Sequence, residues 1–83
     1  MKPRITIYQS DGCHLCEIAH AQLTALQGDY RFELEAVDIG SSDDLHKRYL
    51  ERIPVIALGG EELYDFEIDL ADLESRLLTF SAR

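Results

Sequence analysis

The spacing of hydrophobic residues predicts a strand and then a helix at the start of the chain. Residues 4–9 alternate Ile5 and Ile7 with more polar neighbours and are rich in β-branched and aromatic side chains, which indicates a short strand with a buried face. From residue 14 onward apolar residues recur at helical spacing, and Gly28 is expected to end this helix in a left-handed conformation. The apolar face of the predicted helix consists of Leu15, Ala19, Leu23 and Leu26.

A second strand and a short helix follow. Residues 30–39 alternate again, and a strand, a helix and a strand in this order imply a right-handed parallel unit. Gly40-Ser41-Ser42 breaks the strand and supplies a cap for a short helix. The side chains of this helix complement its dipole and form one apolar stripe: Asp43 and Asp44 at its start, Lys47 and Arg48 at its end, and Leu45 and Tyr49 in the stripe.

The last third of the chain predicts a hairpin and a closing helix. Residues 53–58 form an apolar run in which Pro54 can only open a strand, and Gly59-Gly60 turns the chain into a fourth strand over residues 61–65. Asp69 and Asp72 resemble an acidic helix cap. The predicted order is β-α-β-α-β-β-α, an α/β fold, and the apolar side of its last helix is formed by Leu70, Leu73, Leu77 and Phe80.

The size and charge of the chain restrict its function. Its 83 residues suffice for one domain, residues 1–83, with a thin core. Sixteen acidic and eight basic side chains give a net charge of −8, which repels phosphate backbones and anionic lipids, so neither a nucleic acid nor a membrane is expected as a partner. No segment is long enough to span a bilayer, and no apolar export signal follows the basic start at residues 1–4. We expect a cytoplasmic protein, and a monomer.

The only two cysteines, Cys13 and Cys16, lie at the predicted junction between the first strand and the first helix, after the turn Ser10-Asp11-Gly12. A sulfur in the first helical turn faces unpaired N–H groups and the positive end of the helix dipole, which stabilise its thiolate. Cys13 is therefore the candidate nucleophile, and Cys16, one turn further on, is the candidate resolving thiol. In a reducing compartment such a pair is more often catalytic or metal-binding than structural.

Together with Ile53-Pro54 at the start of the third predicted strand, the pair Cys13 and Cys16 resembles the thioredoxin-fold family, and at this length the chain is similar to the short bacterial glutaredoxin-like proteins. The resemblance implies a four-stranded mixed sheet with helices on both faces. It implies a thiol–disulfide oxidoreductase that acts on a protein or low-molecular-weight disulfide and is recharged by glutathione or a system of thioredoxin-reductase type. It also implies a cis bond before Pro54 and contact of Ile53 and Pro54 with the substrate backbone.

The chain departs from the glutaredoxin pattern in two places, one that affects the redox potential and one that affects binding of glutathione. Glutaredoxins commonly carry Pro-Tyr between the cysteines, whereas this chain has His14 and Leu15, and the imidazole is a candidate for tuning the redox potential. Glutaredoxins also hold glutathione with basic residues near the cysteines and an Asp at the start of the last helix. Here Asp69 is the candidate remnant of that site, but no Lys lies just before Cys13. No cofactor is expected, and glutathione stays open as a co-substrate.

Other functions remain as alternatives at this point. Cys13, Cys16 and His20 have the spacing of zinc ligands, although a closed structural site needs a fourth. A glutathione-bridged iron–sulfur dimer and a redox-inactive thioredoxin-fold interaction module are the other two. Aromatic and acidic side chains elsewhere are interpreted as structural, with Tyr8 and Tyr64 packing in the sheet and Glu17 and Glu67 as solvated acids.

Overall fold

The computed structural model describes residues 2–81, with side chains up to residue 80, so Met1 of the basic start and residues 82–83 lie outside the described residues. The main elements follow one another in the predicted order. None of the described helices is long and apolar enough to cross a membrane. The elements are β1 (Arg4–Gln9), α1 (His14–Leu26), β2 (Glu33–Asp38), a 3₁₀ turn (Ile39–Ser41), α2 (Asp43–Tyr49), β3 (Val55–Leu58), β4 (Glu61–Asp65) and α3 (Leu70–Ser81).

The four strands form one mixed sheet in the order β2-β1-β3-β4. The β1 strand runs parallel to β2, as the helical crossover through α1 requires, and antiparallel to β3. Tyr8 near the end of β1 pairs with Val55, the first residue of β3. Because of this register, the loop that leaves β1 and the loop that enters β3 meet at one edge of the sheet, which is the edge formed by the ends of these two central strands.

Buried side chains lie on both faces of the sheet because successive residues of a strand point to opposite sides. Ile5 and Ile7 of β1 pack with α1 and α3, whereas Tyr8 packs with α2. The helices therefore cover both faces, and the predicted fold class is confirmed. The larger cluster contains Ile5, Ile7, Ala19, Leu23, Leu26, Phe32, Ile56, Leu58, Ile68, Leu73 and Leu77, and the smaller one contains Ile39, Tyr49 and Val55.

The end of α1 differs from the prediction. Gly28 is not among the residues with positive φ, and Gln27, the C-terminal cap, has a φ of −61°. The carbonyl of Leu26 instead accepts the N–H groups of Asp29 and Tyr30 at 3.0 and 2.9 Å. The expected left-handed stop at Gly28 is therefore wrong, because a tight turn satisfies the helix end without it.

The second strand is shorter than predicted at both ends. It begins at Glu33, after Phe32, whose carbonyl accepts the side-chain amide of Gln27 at 3.2 Å instead of pairing in the sheet. It ends at Asp38, whose carboxylate accepts the N–H of Gly40 at 2.8 Å and starts the 3₁₀ turn. Ile39, predicted to end the strand, consequently lies in that turn, where it is buried in the smaller cluster.

Candidate active site

The two cysteines lie where β1 passes into α1. Gly12 in the connecting loop has a φ of +76°, a conformation that favours glycine. The N–H of Cys13 donates to the carbonyl of Ser10 at 3.3 Å and closes the predicted turn. Cys13 then occupies the N-cap position of α1 with an extended backbone. Local turn chemistry thus places the first cysteine at the positive end of a helix.

The sulfurs of Cys13 and Cys16 are joined in a disulfide bond, and the two Cα atoms are 5.2 Å apart. The Sγ atom of Cys13 also accepts the backbone N–H of Cys16 at 3.1 Å, the capping role that a Ser or Asp oxygen usually takes. Cys16 is only 2% exposed, whereas Cys13 is half-buried. The pair is asymmetric, with its accessible sulfur at the helix N-terminus.

A loop with a cis proline, residues 52–54 and hereafter the proline loop, lies at the same edge of the sheet. The peptide bond between Ile53 and Pro54 is cis, as the resemblance implied. Since Val55 pairs with Tyr8, Pro54 enters β3 beside the point where the cysteine loop leaves β1. Within the described chain, neither the N–H nor the carbonyl of Ile53 has a hydrogen-bond partner. The backbone of Ile53 is therefore free at the edge that carries the disulfide.

A cavity of about 320 Å³ opens beside the disulfide. Its charged lining is acidic, from Asp11 and Glu17, and His20 lies on the same wall. Within residues 2–81 no group of three or more His, Cys, Asp or Glu side chains is arranged to hold a metal ion. Glu17, interpreted from the sequence as a solvated acid, has a 75% exposed side chain and also lines this cavity.

The family model for the glutaredoxin-like domain (DUF836) matches residues 4–78. The chain belongs to this family. No curated protein sequence matches it significantly. Among solved structures, this glutaredoxin-like chain is similar to protein Ne2328 from Nitrosomonas europaea, with 32% identity, 93% of each chain covered and a TM-score of 0.81.

Two further structures extend the comparison. A structural-genomics target protein from X. campestris shares 32% identity over 90% of this chain and 96% of its own, with a TM-score of 0.71. Thioredoxin from Fasciola hepatica is 18% identical over 92% of this chain and 81% of its own, with a TM-score of 0.63, and shows likeness of fold alone. The thioredoxin-like fold and the cysteine pair together indicate thiol–disulfide redox chemistry for this family member.

Two further candidate residues of this glutaredoxin-like chain have other local contacts. His14 is 83% exposed, and its Nδ1 lies 3.8 Å from Glu17, which is 75% exposed, so the pair is open to water and salt. The carboxylate of Asp69 accepts the N–H of Asp72 at 3.1 Å and caps α3, which confirms the predicted cap. Redox tuning by His14 and glutathione binding by Asp69 stay predictions.

A polar network that the sequence did not predict lies behind the proline loop. Arg52 contacts the carboxylates of Asp65 and Glu62, and the Tyr49 hydroxyl donates to Glu62 at 2.8 Å. Burial, and secondly this hydrogen bond, raise the pKa of Tyr49 to about 12. The hydrogen bonds from Arg52 and then Tyr49 lower the pKa of Glu62. The only signal in the sequence was an arginine directly before Ile53-Pro54.

The network predicts a specific pH dependence of stability. A carboxyl group whose pKa is lower in the folded state stabilises the fold above its unfolded pKa, about 4.3 for Glu, and this stabilisation is lost as pH falls through the folded value. We therefore expect the urea midpoint to fall between pH 6 and pH 3, and to fall less in Glu62→Gln. Glu35→Gln, an exposed change on β2, should keep the wild-type dependence. Identical pH profiles for Glu62→Gln and wild type would contradict the role of Glu62.

Proposed function

We propose that this glutaredoxin-like protein is a thiol–disulfide oxidoreductase in which Cys13 is the nucleophile and Cys16 the resolving thiol. The observation that carries the proposal is the asymmetry of the pair. Cys13 is half-buried and its sulfur accepts a backbone N–H at a helix N-terminus, while Cys16 is 2% exposed. A helix N-terminus and a hydrogen-bond donor both favour the thiolate, which is the reactive form.

The reaction starts from the reduced dithiol. The Cys13 thiolate attacks one sulfur of the substrate disulfide, so that a bond forms between Cys13 and the substrate and the other substrate sulfur leaves as a thiolate, which takes up a proton. Cys16 then loses its proton and attacks the Cys13 sulfur, which releases the second substrate thiol and leaves the disulfide described above. The substrate gains two electrons and two protons, and the protein loses them.

The proline loop is proposed to bind the substrate main chain. Its support is the free N–H and carbonyl of Ile53, which lie at the sheet edge where the cysteine loop begins. Pro54 is fully buried and fixes the backbone conformation of the loop. An extended substrate segment next to Ile53 would form backbone hydrogen bonds of the kind that join strands.

For recharging, the proposed reductant is a dithiol system of thioredoxin-reductase type or glutathione, in a reducing compartment such as the cytoplasm. The acidic residues Asp11 and Glu17, which line the cavity beside the disulfide, favour the first of these, because their negative charges repel an anionic tripeptide. Oxidised glutathione is accordingly expected to react more slowly than a cationic disulfide of similar size.

The assignment of nucleophile and resolver predicts selective alkylation. In the reduced protein at pH 7, limiting iodoacetamide should label Cys13 at least about ten times faster than Cys16, because exposure and thiolate character both favour Cys13. Peptide mapping by mass spectrometry measures the two rates. Cys16→Ser serves as the control and should leave rapid labelling of Cys13 in place. Equal rates at the two cysteines would be incompatible with the proposed roles.

A further inference from the structure

Ile53 lies between two residues whose carbonyls are held by a single N–H group. The N–H of Phe66 donates to the carbonyl of Pro54 at 2.8 Å and to that of Arg52 at 3.3 Å. Phe66 has a φ of +69°, a left-handed conformation that is unfavourable for a residue with a β-carbon. The backbone between β4 and α3 is therefore held in a strained conformation at the point where it supports the proline loop.

The side chain of Arg52 joins the same two segments a second time. Its Nε and Nη2 atoms each lie 3.1 Å from an oxygen of Asp65, the residue before Phe66, and Nη2 lies 2.6 Å from Glu62. Two parallel hydrogen bonds to one carboxylate define the orientation of the side chain as well as its distance, which a lysine ammonium cannot do. The side chain of Arg52 thus attaches the backbone directly before Ile53 to the end of β4.

The contacts continue from this pair to the strand that leads to the cysteines. The Arg52 guanidinium carbon lies 5.4 Å from the centre of the Tyr49 ring, and the Tyr49 hydroxyl bonds to Glu62. Tyr49 also stacks on Tyr8 of β1, with ring centres 4.2 Å apart. A chain of packed and hydrogen-bonded side chains therefore links the proline loop to β1, which ends at the cysteine loop.

The charge of Arg52 is already offset by the carboxylates of Asp65 and Glu62, which pair with its Nε and Nη2 atoms and would repel a substrate anion. We propose instead that Arg52 is a positioning residue that keeps the N–H and carbonyl of Ile53 aligned for the backbone of a peptide substrate. This inference rests on the proposed function. It distinguishes two classes of disulfide, since only a substrate with a peptide backbone can use Ile53.

The test uses pre-reduced protein and two substrates, a peptide disulfide and 2-hydroxyethyl disulfide, which has no amide group. For Arg52→Gln we expect the half-saturating peptide concentration to rise about tenfold, with the limiting rate constant unchanged, because binding bonds common to ground and transition state are lost. The second-order rate constant for 2-hydroxyethyl disulfide should stay within about twofold of wild type. Arg52→Lys keeps the charge but not the paired hydrogen bonds, so its half-saturating peptide concentration should lie between those of wild type and Arg52→Gln.

A second peptide, which lacks backbone donors, tests the same hydrogen bonds from the substrate side. N-methylation of the amides beside the substrate cysteine removes backbone donors, so wild type should bind this peptide about as weakly as Arg52→Gln binds the parent peptide. In Arg52→Gln the methylation should cost little more, because the two changes remove the same interaction. If methylation weakens peptide binding by the same factor in Arg52→Gln as in wild type, the two effects are independent and the proposal is wrong.

Arg76→Gln is the matched control, because Arg76 forms a comparable pair with Asp72 at 2.8 Å on α3 and should affect neither substrate. An equal loss with both substrates in Arg52→Gln, or an unchanged half-saturating peptide concentration, would overturn the positioning role. If Arg52→Gln does not fold, Asp65→Asn keeps Arg52 and removes its paired acceptor, with the same expectations. A wild-type protein that reduces neither substrate would instead contradict the proposed function.

Discussion

Replacing Cys16 by serine is expected to convert the protein into a trap that accumulates as a mixed disulfide with its substrate. The first exchange step needs only the accessible Cys13 sulfur, whereas the second needs a thiol one helical turn away. Without that intramolecular thiol, release depends on an external one, so the intermediate should decay more slowly by orders of magnitude. Non-reducing electrophoresis and intact-mass measurement after mixing with a peptide disulfide detect the adduct.

Cys13→Ser is the matched control for this trap. It keeps a single thiol, as Cys16→Ser does, but that thiol is the buried one, so we expect no adduct under the same conditions. Adducts of similar yield in both variants would show that the two thiols are interchangeable and would refute the assignment. An adduct formed only by Cys13→Ser would reverse the roles. Capture of glutathione by Cys16→Ser from a mixture with peptide disulfides would favour glutathione as the physiological partner.

A cationic disulfide should be reduced faster than an anionic one of the same length. The protein has a net charge of −8, and the acidic residues Asp11 and Glu17 are among those that line the cavity beside the disulfide. For peptides that carry Lys or Glu next to the cysteine, we expect a rate ratio of roughly tenfold at low ionic strength. The ratio should approach one at about 0.5 M salt, where the Debye length is shorter than the distance between the peptide charge and these acidic residues.

The ratio of the two rate constants is the informative quantity, because any change in intrinsic thiol reactivity affects both peptides equally. Asp11→Asn and Glu17→Gln should each lower this ratio by about two- to threefold. Asp29→Asn removes the same charge beyond the far end of α1, a helix of 13 residues or about 20 Å, and should leave the ratio close to wild type. A wild-type ratio near one at low salt would contradict electrostatic selection by this surface.

The element order and the position of the cysteines could be predicted because their signals are local. A two-residue alternation, a helical repeat and a turn with glycine are properties of short segments, and the cap by Ser42, which accepts the N–H of Leu45 at 3.5 Å, follows the same logic. The predictions that failed concern segment ends. Local preference favours a left-handed Gly28 and a strand that ends at Ile39, but hydrogen bonds and burial elsewhere decide the conformation of both residues.

The predicted packing of the aromatic residues is also confirmed, although their partners were not foreseeable. Tyr8 stacks on Tyr49, and Tyr64 packs against the larger cluster while its hydroxyl donates to Asp72. Amphipathic patterns indicate that such a side chain is partly buried. They do not indicate which helix covers it, because that depends on the order of strands in the sheet.

The sequence by itself predicted a turn followed by a helix that starts at the cysteine pair, Cys13 and Cys16, because a glycine turn and a helical repeat are signals within one short segment. The tertiary structure alone decided what surrounds the pair. Arg52 meets Asp65 and Glu62 only because the β3–β4 hairpin, with a register shift after Ile56, brings the end of β4 back beside the proline loop. Contacts between distant segments depend on strand register and helix placement, which follow from packing the whole core and not from any one segment.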